Sequence, residues 1–285
     1  MQLATRSIPC SVCGGRHDVE HFPGLLRCSS CGFITADVDV TAEQLKVLYS
    51  QQYFHGEEYR DYIADRAILS RHFRQRLRKL LTFVSEPGSK HLLEIGCAYG
   101  FFLQVASQSF KSVEGVDISR DAVQYAREVV QQRVSEIDFL DYRPPHQFDV
   151  ICMWDTIEHL AKPAEYVAAV SRLLSPGGHV AISTGDIDSF VASFRGRRWR
   201  QIHPPTHLQY FSKKTLRRLL EKNRLEVVYA GSDGQFRSCD SMAYGTLMVK
   251  NHYPNVYRVL RSTGLLTFPL YLNLFDIMFV IAKKV

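Results

Sequence analysis

Three clusters in this chain have residue types and spacings that could do chemistry. The first is "CSVCGGRHDVEHFPGLLRCSSCGF", residues 10–33, with CxxC pairs at Cys10/Cys13 and Cys28/Cys31. Fourteen residues separate the pairs, and Gly14 and Gly32 each follow a second cysteine. A CxxC turn brings two thiolates to one ion, and two such turns complete a tetrahedron, the pattern of a zinc ribbon. The segment is too short for a core of its own, so a metal would supply what burial cannot. A redox role would need one pair only. His17 and His21 lie between the pairs and are expected to face solvent, because four cysteines fill the shell.

The second cluster is "MWDTIEHL", which holds Asp155, Glu158 and His159. Spacings of three and four put these groups on one side of a helical turn. His207 lies further on, in the Pro-containing loop "RQIHPPTHLQYFS". Three readings stand open. Asp155 caps a short turn and Glu158 reaches back, a variant of the capping box. Alternatively, His159 or His207 is a catalytic general base. Or Asp155, Glu158, His159 and His207 gather a divalent metal such as magnesium or manganese. His203 reads as a plain loop residue.

The third cluster is "HLLEIGCAYGFFLQVA", a strand, a turn and a helix start. Gly96 and Gly100 permit a tight turn and close approach of a ligand to the backbone. The spacing is E-x-G-x-x-x-G, not the GxGxxG that cradles a pyrophosphate. Glu94 would repel a pyrophosphate and suit a cofactor with a positive amino group. Asp117, twenty-one residues after Gly96, closes "SVEGVD" and is placed to accept both hydroxyls of a ribose. Together these residues describe a site for an adenosine with a cationic tail and no phosphates.

The elements that must position these groups follow from periodicity. Short apolar strands are expected at 91–95, 112–117, 134–137, 148–153, 178–184, 225–230 and 276–282. Helices are expected at 101–109, 120–131, 163–174 and 213–223. This alternation predicts a doubly wound α/β sheet, which binds ligands at the carboxyl ends of its strands. Residues 37–85 read as helical, with a capping box at Thr41 and Gln44 and apolar Ile63, Ala67, Leu77, Leu80 and Leu81 at helical spacing. Glu86-Pro87-Gly88 then breaks the chain. The expected division is a ribbon over 1–36, a helical cover over 37–89, and a cofactor-binding domain over 90–285. Insertions at 185–212 and 231–274 would cover the substrate.

With these motifs in hand, the chain resembles the class I S-adenosylmethionine-dependent methyltransferases, in the broad group that includes the quinone-pathway O-methyltransferases. "LLEIGCAYG" and "VEGVDIS" match the first two motifs of that family. "FDVICMWDTIEHLAKPAEYVAAVSRLLSPGGHVAIST" and "HPPTHLQYFSKKTLRRLLEKNRLEVV" match its later segments. The resemblance covers about residues 40–285. It implies a seven-stranded Rossmann-like sheet with an antiparallel last strand. It implies that Glu94, Gly96 and Gly100 belong to the cofactor turn, with Glu94 and Gly96 beside the methionine part, and that Asp117 binds the ribose. Ile118 and Phe139 would flank the adenine, Asp138 would accept from its amino group, and Trp154 would wall the pocket. One departure is Ala98, where the family's first motif has its middle glycine.

Composition bounds the rest. The chain has 285 residues, 46% apolar and 22% charged, as in soluble globular proteins. The uncharged stretch Ser262 to Phe275 contains Pro269 and is too short to span a bilayer. The first ten residues lack a signal-peptide core, so a cytoplasmic protein is expected. Seven cysteines, an odd number, argue against a disulfide framework. The net charge of +6 is mild and requires no anionic partner. "RHFRQRLRK" reads as the wet face of a helix. "RGRRWR", Arg195 to Arg200, would suit a phosphate-bearing sugar or glycan acceptor, and "YPNVYRVLRSTGLLTFPLYLNL" a lipid-linked one. Methylation of a small molecule, sugar or glycan precursor is the expected function. An RNA methyltransferase and a non-catalytic scaffold are the rivals. The ribbon could close over substrate, mediate a homodimer or stabilise the N-terminus.

Overall fold

The computed structural model describes residues 7–39, 44, 62–250, 252–264, 266 and 268–285. The cap expected at Thr41 lies outside the described residues. In chain order, the first elements are β1 (Ile8–Pro9), β2 (Arg16–Phe22), β3 (Leu25–Cys28), β4 (Ile34–Ala36) and α1 (Arg66–Leu81). Next come β5 (His91–Ile95), α2 (Phe101–Ala106), β6 (Ser112–Asp117), α3 (Arg120–Glu128), β7 (Arg133–Glu136) and β8 (Phe148–Trp154). They are followed by α4 (Pro163–Leu173), β9 (Leu174–Gly185), α5 (Phe190–Arg195), β10 (Gln209–Tyr210) and α6 (Lys213–Lys222). The last are β11 (Leu225–Ser238), α7 (Cys239–Ala243), α8 (Pro254–Ser262) and β12 (Pro269–Lys284).

Seven strands form one sheet in the order β11-β12-β9-β8-β5-β6-β7. β12 runs antiparallel to both of its neighbours, and β5 to β9 pair in parallel. Helices cover both faces, which is why β8, "FDVICMW", is apolar almost throughout rather than alternating. α6 shows how the covering helices are specified. Ser212 Oγ accepts from the Thr215 amide and Thr215 Oγ1 accepts from the Ser212 amide, a reciprocal cap. Leu216, Leu219 and Leu220 then form the stripe that enters the core.

β11 and β12 are longer than their apolar cores predict. They pair out to Ser238↔Pro269, with register shifts at Val227/Tyr229 and Asp233/Gln235. The extension leaves the sheet, so partner strands hold it without a continuous apolar run. No helix among the described residues is long and apolar enough to cross a membrane.

The second sheet has the order β1-β2-β3-β4-β10. Its last strand comes from the loop that carries His207, with Gln209 opposite Thr35 and Tyr210 opposite Ile34. The cysteine segment is therefore stitched into the larger unit. Cys10, Val12, Cys28 and Phe33 share one buried cluster with Ile157, Phe211 and Leu216. The Phe33 and Phe211 ring centroids are 4.7 Å apart.

Candidate functional site

At the tips of adjacent strands β5 and β6 stand Glu94 and Asp117. Glu94 is buried, and its Oε2 has no hydrogen-bond partner. Burial, reinforced by Asp117, pushes its carboxyl well above the usual range. Asp117 Oδ2 accepts from the Ala98 amide and Oδ1 from the Ser119 amide, both at 2.8 Å. Desolvation still raises its carboxyl despite these bonds. The turn between β5 and α2 holds Gly96, Ala98 and Gly100 at φ 71°, 44° and 74°. A Cβ on Gly96 would lie 2.7 Å from the Thr156 side chain, so the turn touches the segment after β8 with no room to spare. Ala98 adopts a left-handed conformation that costs a non-glycine residue about 1–2 kcal/mol. A buried acid with an unpartnered oxygen, beside a second acid fixed by backbone amides, fits a ligand with a cationic group and hydroxyls.

Trp154 is buried between Phe102 and Phe279, with centroids at 5.1 and 5.4 Å. The Arg76 guanidinium lies 5.2 Å from its ring centroid. Ile118 is half-buried. Asp138 Oδ1 accepts from the Leu140 amide at 2.8 Å and the Tyr166 hydroxyl at 2.7 Å, so it also caps the turn that follows β7. Phe139 is buried with its ring centroid 5.7 Å from that of Tyr166.

Asp155 departs from both of the readings that involve it, the cap and the metal ligand. Its φ is 49°, which turns the carboxylate toward α1, and Oδ2 stands 2.9 Å from Arg76 Nη1. The short turn Ile157–His159 begins after Thr156, and no side chain caps it. Asp155 is thus neither the cap nor part of the Glu158–His159–His207 group. Burial would raise its carboxyl, but the Arg76 charge outweighs that and holds it low. Arg76 is fully buried, and its Nε also reaches Asp233 Oδ2 at 2.7 Å. The segment "RHFRQRLRK" is accordingly only partly a wet face. Arg71, Arg74 and Arg78 are exposed, whereas His72 and Arg76 are buried. A signal was there to find, because Arg76 shares the helical stripe of Phe73, Leu77 and Leu80.

Glu158, His159 and His207 converge, each offering one ligand atom within 4.8 Å of the others. His159 Nδ1 faces the Thr206 carbonyl at 2.8 Å and His207 Nδ1 faces the Gln201 carbonyl at 2.9 Å. The Gln201 carbonyl selects for His207 the tautomer with hydrogen on Nδ1, whereas His159 meets the backbone of both Thr206 and Asp155. Burial holds His159 down to about 4 and His207 well below its ordinary value, so both are neutral at pH 7. Burial and the Asp155 charge push Glu158 up to about 8. His203 is more than a distant loop residue, since its ring centroid lies 3.8 Å from that of His207. In the adjoining "RGRRWR" segment, Trp199 is buried and donates from Nε1 to Asp276 Oδ2 at 2.9 Å. Arg200 pairs with the same carboxylate, and Arg195, Arg197 and Arg198 remain exposed.

The four N-terminal cysteines are free thiols whose sulfurs lie within 4.8 Å of one another. Cys10 and Cys31 are 3.6 Å apart and Cys13 and Cys28 are 3.5 Å apart. Zinc–sulfur bonds of about 2.3 Å in a tetrahedron set sulfurs roughly 3.8 Å apart, so the group fits zinc. Burial raises the Cys28 thiol, but backbone amides of Cys31 and Ser30 lead the opposing effects that bring it down to about 7. His17 does not face solvent. It is buried, and its Nδ1 lies 3.1 Å from the Leu26 carbonyl, within β2–β3 pairing.

Comparison with known proteins gives this geometry its family. The profile of the methyltransferase-domain family matches residues 69–230, more than half of the chain. The chain belongs to the class I S-adenosylmethionine-dependent methyltransferases. This methyltransferase-family chain is 34% identical over 116 residues to the ubiquinone biosynthesis O-methyltransferase of Thiobacillus denitrificans, covering 38% of this chain and 50% of that protein. A Pseudomonas aeruginosa protein of the same name is 34% identical over 105 residues, covering 33% and 44%. The methyltransferase chain thus spans about half the length of the curated relatives it matches. Among solved structures, magnesium protoporphyrin IX methyltransferase from Synechocystis, with bound S-adenosylhomocysteine, aligns with TM-score 0.55 and 12% identity over 86% of this chain and 100% of that one. A Bacillus halodurans methyltransferase-fold protein aligns with TM-score 0.53 and 14% identity over 74% and 99%. These structural likenesses are likenesses of fold.

Proposed function

We propose that the chain transfers a methyl group from S-adenosylmethionine to an oxygen of a small molecule, with sugars and glycan precursors in that class. The observation that carries the reading is the pair Glu94 and Asp117, one acid with a buried oxygen that has no hydrogen-bond partner and one fixed by two amides. Asp117 would hold the ribose hydroxyls and Glu94 would face the cationic amino group. Ile118 and Phe139 would flank the adenine, Asp138 would take its amino group, and Trp154 would wall the pocket. The cofactor, when bound, supplies an electrophilic methyl on a sulfonium. The names of the matched relatives favour a hydroxyl acceptor.

The protein's task is then to align acceptor and methyl, a proximity effect, and to remove the hydroxyl proton. His159 and His207 suit that removal, since burial keeps both neutral at pH 7. A second reading rests on the convergence of Glu158 with these histidines. The three would hold a divalent cation, which when bound lowers the pKa of a coordinated hydroxyl. Zinc at Cys10, Cys13, Cys28 and Cys31 would be structural, since four thiolates leave no open position.

The test is incubation with methyl-labelled cofactor and a cell extract, followed by fractionation. Label in a small molecule or saccharide, lost in Asp117→Ala, supports the reading. Label confined to nuclease-sensitive material would transfer the assignment to RNA.

A further inference from the structure

We propose that the cysteine ribbon is a strut for the histidine loop, with Thr35 and Leu208 as its positioning residues. A chain of hydrogen bonds leads from the ribbon to the histidines. The Ala36 amide donates to the Leu208 carbonyl at 2.8 Å, and Thr35 Oγ1 donates to the same oxygen at 3.1 Å. The amide of Leu208 in turn donates to the Glu158 carbonyl at 2.8 Å. One residue thus receives the ribbon on its carbonyl and grips the Glu158 turn with its amide. Its neighbour is His207, whose carbonyl accepts from the Tyr210 hydroxyl at 3.0 Å. Gln209 Nε2 adds a bond to the Leu160 carbonyl at 3.1 Å.

The physical need for a strut is clear from the lengths involved. β10 is two residues long, and among the described residues β4 is its one hydrogen-bonded strand neighbour. Such a pair has little stability of its own. β4 begins three residues after Cys31, so the cysteine knuckle sets its position directly. Apolar contact reinforces the link, because Phe33 between knuckle and strand packs on Phe211 just beyond β10. An appended module for partner binding would not require its last strand to be completed by the histidine loop. Glu94 and Asp117 stand on β5 and β6, outside this relay. Loss of the knuckle should therefore loosen Glu158, His159 and His207 and leave the cofactor end in place.

The role of the metal rests on the zinc reading above, whereas the role of Thr35 does not. Hydrogen exchange followed by mass spectrometry reads both, after zinc content has been measured in the purified protein. Chelation of the zinc should speed exchange across 203–212 at least tenfold. It should leave 91–117 unchanged and S-adenosylmethionine affinity within twofold. In Thr35→Val, compared with the parent at equal zinc content, loss of one buried hydrogen bond should speed exchange of the Leu208–Tyr210 segment about fivefold. Thr35→Ser should restore the parental rate. The strut is overturned by unchanged exchange at 203–212 after zinc loss. It is also overturned if protection and cofactor binding collapse together across the chain, or if Thr35→Val and Thr35→Ser behave alike. Purified protein without zinc would sink the metal reading alone, and the Thr35 pair would then decide the strut.

Discussion

Arg76 Nη1 stands 2.9 Å from Asp155 Oδ2, and this contact ties helix α1 to the residue that follows β8. Arg76 Nε reaches Asp233 on β11 as well, so one buried charge joins three elements around Trp154. Removing one partner of such a group leaves the others buried and uncompensated. Arg76→Leu should lose about 3 kcal/mol of stability in urea unfolding. Asp155→Asn should lose less, because the Asp155 side chain is 34% exposed and water can replace part of the interaction. An Arg76→Leu protein as stable as the parent would contradict this account of how the cover is anchored.

His72, one turn before Arg76, supplies a pH dependence. Burial and the Arg76 charge lower it from 6.5 to about 3. It faces Asp233 at 3.5 Å, and the Asp155 charge opposes the shift without reversing it. The folded state thus excludes a proton that the unfolded chain takes up below pH 6.5. The stabilising contribution is complete above pH 6.5 and is lost as pH falls toward 3. The stability difference between the parent and His72→Gln should accordingly shift against the parent between pH 6.5 and 4. A difference independent of pH over that range would show that His72 does not titrate as described.

Much of the sheet was legible because its strands carry local signals. "HLLEI" and "SVEGVD" are largely apolar runs with an acid at or next to their last residue, and both strands fall within the expected bounds. Glu94, Gly96 and Asp117 could be named for the same reason, since strand, turn and tip are contiguous in the chain. The histidine site was only half legible. Glu158 and His159 are neighbours, but His203 enters through a loop, and β10 exists only because a segment more than 170 residues away pairs with it. The pairing of Asp155 is not legible locally, because its partner Arg76 lies 79 residues earlier in a segment that looks solvated. Buried charge carries no local mark beyond its place on an apolar stripe.

Two backbone positions in the cofactor turn should respond in opposite directions. Ala98→Gly relieves a left-handed alanine and should gain about 1 kcal/mol, less the entropy that glycine returns to the unfolded chain. Gly96→Ala places a Cβ 2.7 Å from Thr156 at φ 71° and should destabilise the protein and weaken cofactor binding at least tenfold. Thermal melts with and without cofactor would check both. A neutral Gly96→Ala would mean that the turn has slack.

The two readings of the histidine site diverge under chelation. If Glu158, His159 and His207 hold a cation, titration with manganese should show a site that Glu158→Gln and His207→Ala both abolish, with the cysteine zinc retained. If a histidine acts as base alone, manganese should not bind there. His207→Ala should then lower turnover 10²–10⁴-fold, as loss of a general base does, and chelation should have no effect. Binding of manganese that survives both substitutions would contradict the cation site.

Calorimetric titration with S-adenosylmethionine tests the cofactor site built on Glu94 and Asp117. One cofactor should bind per chain, with Asp117→Ala folded but at least tenfold weaker. Folded parent protein that takes up no cofactor, or Asp117→Ala that binds as tightly as the parent, would contradict it.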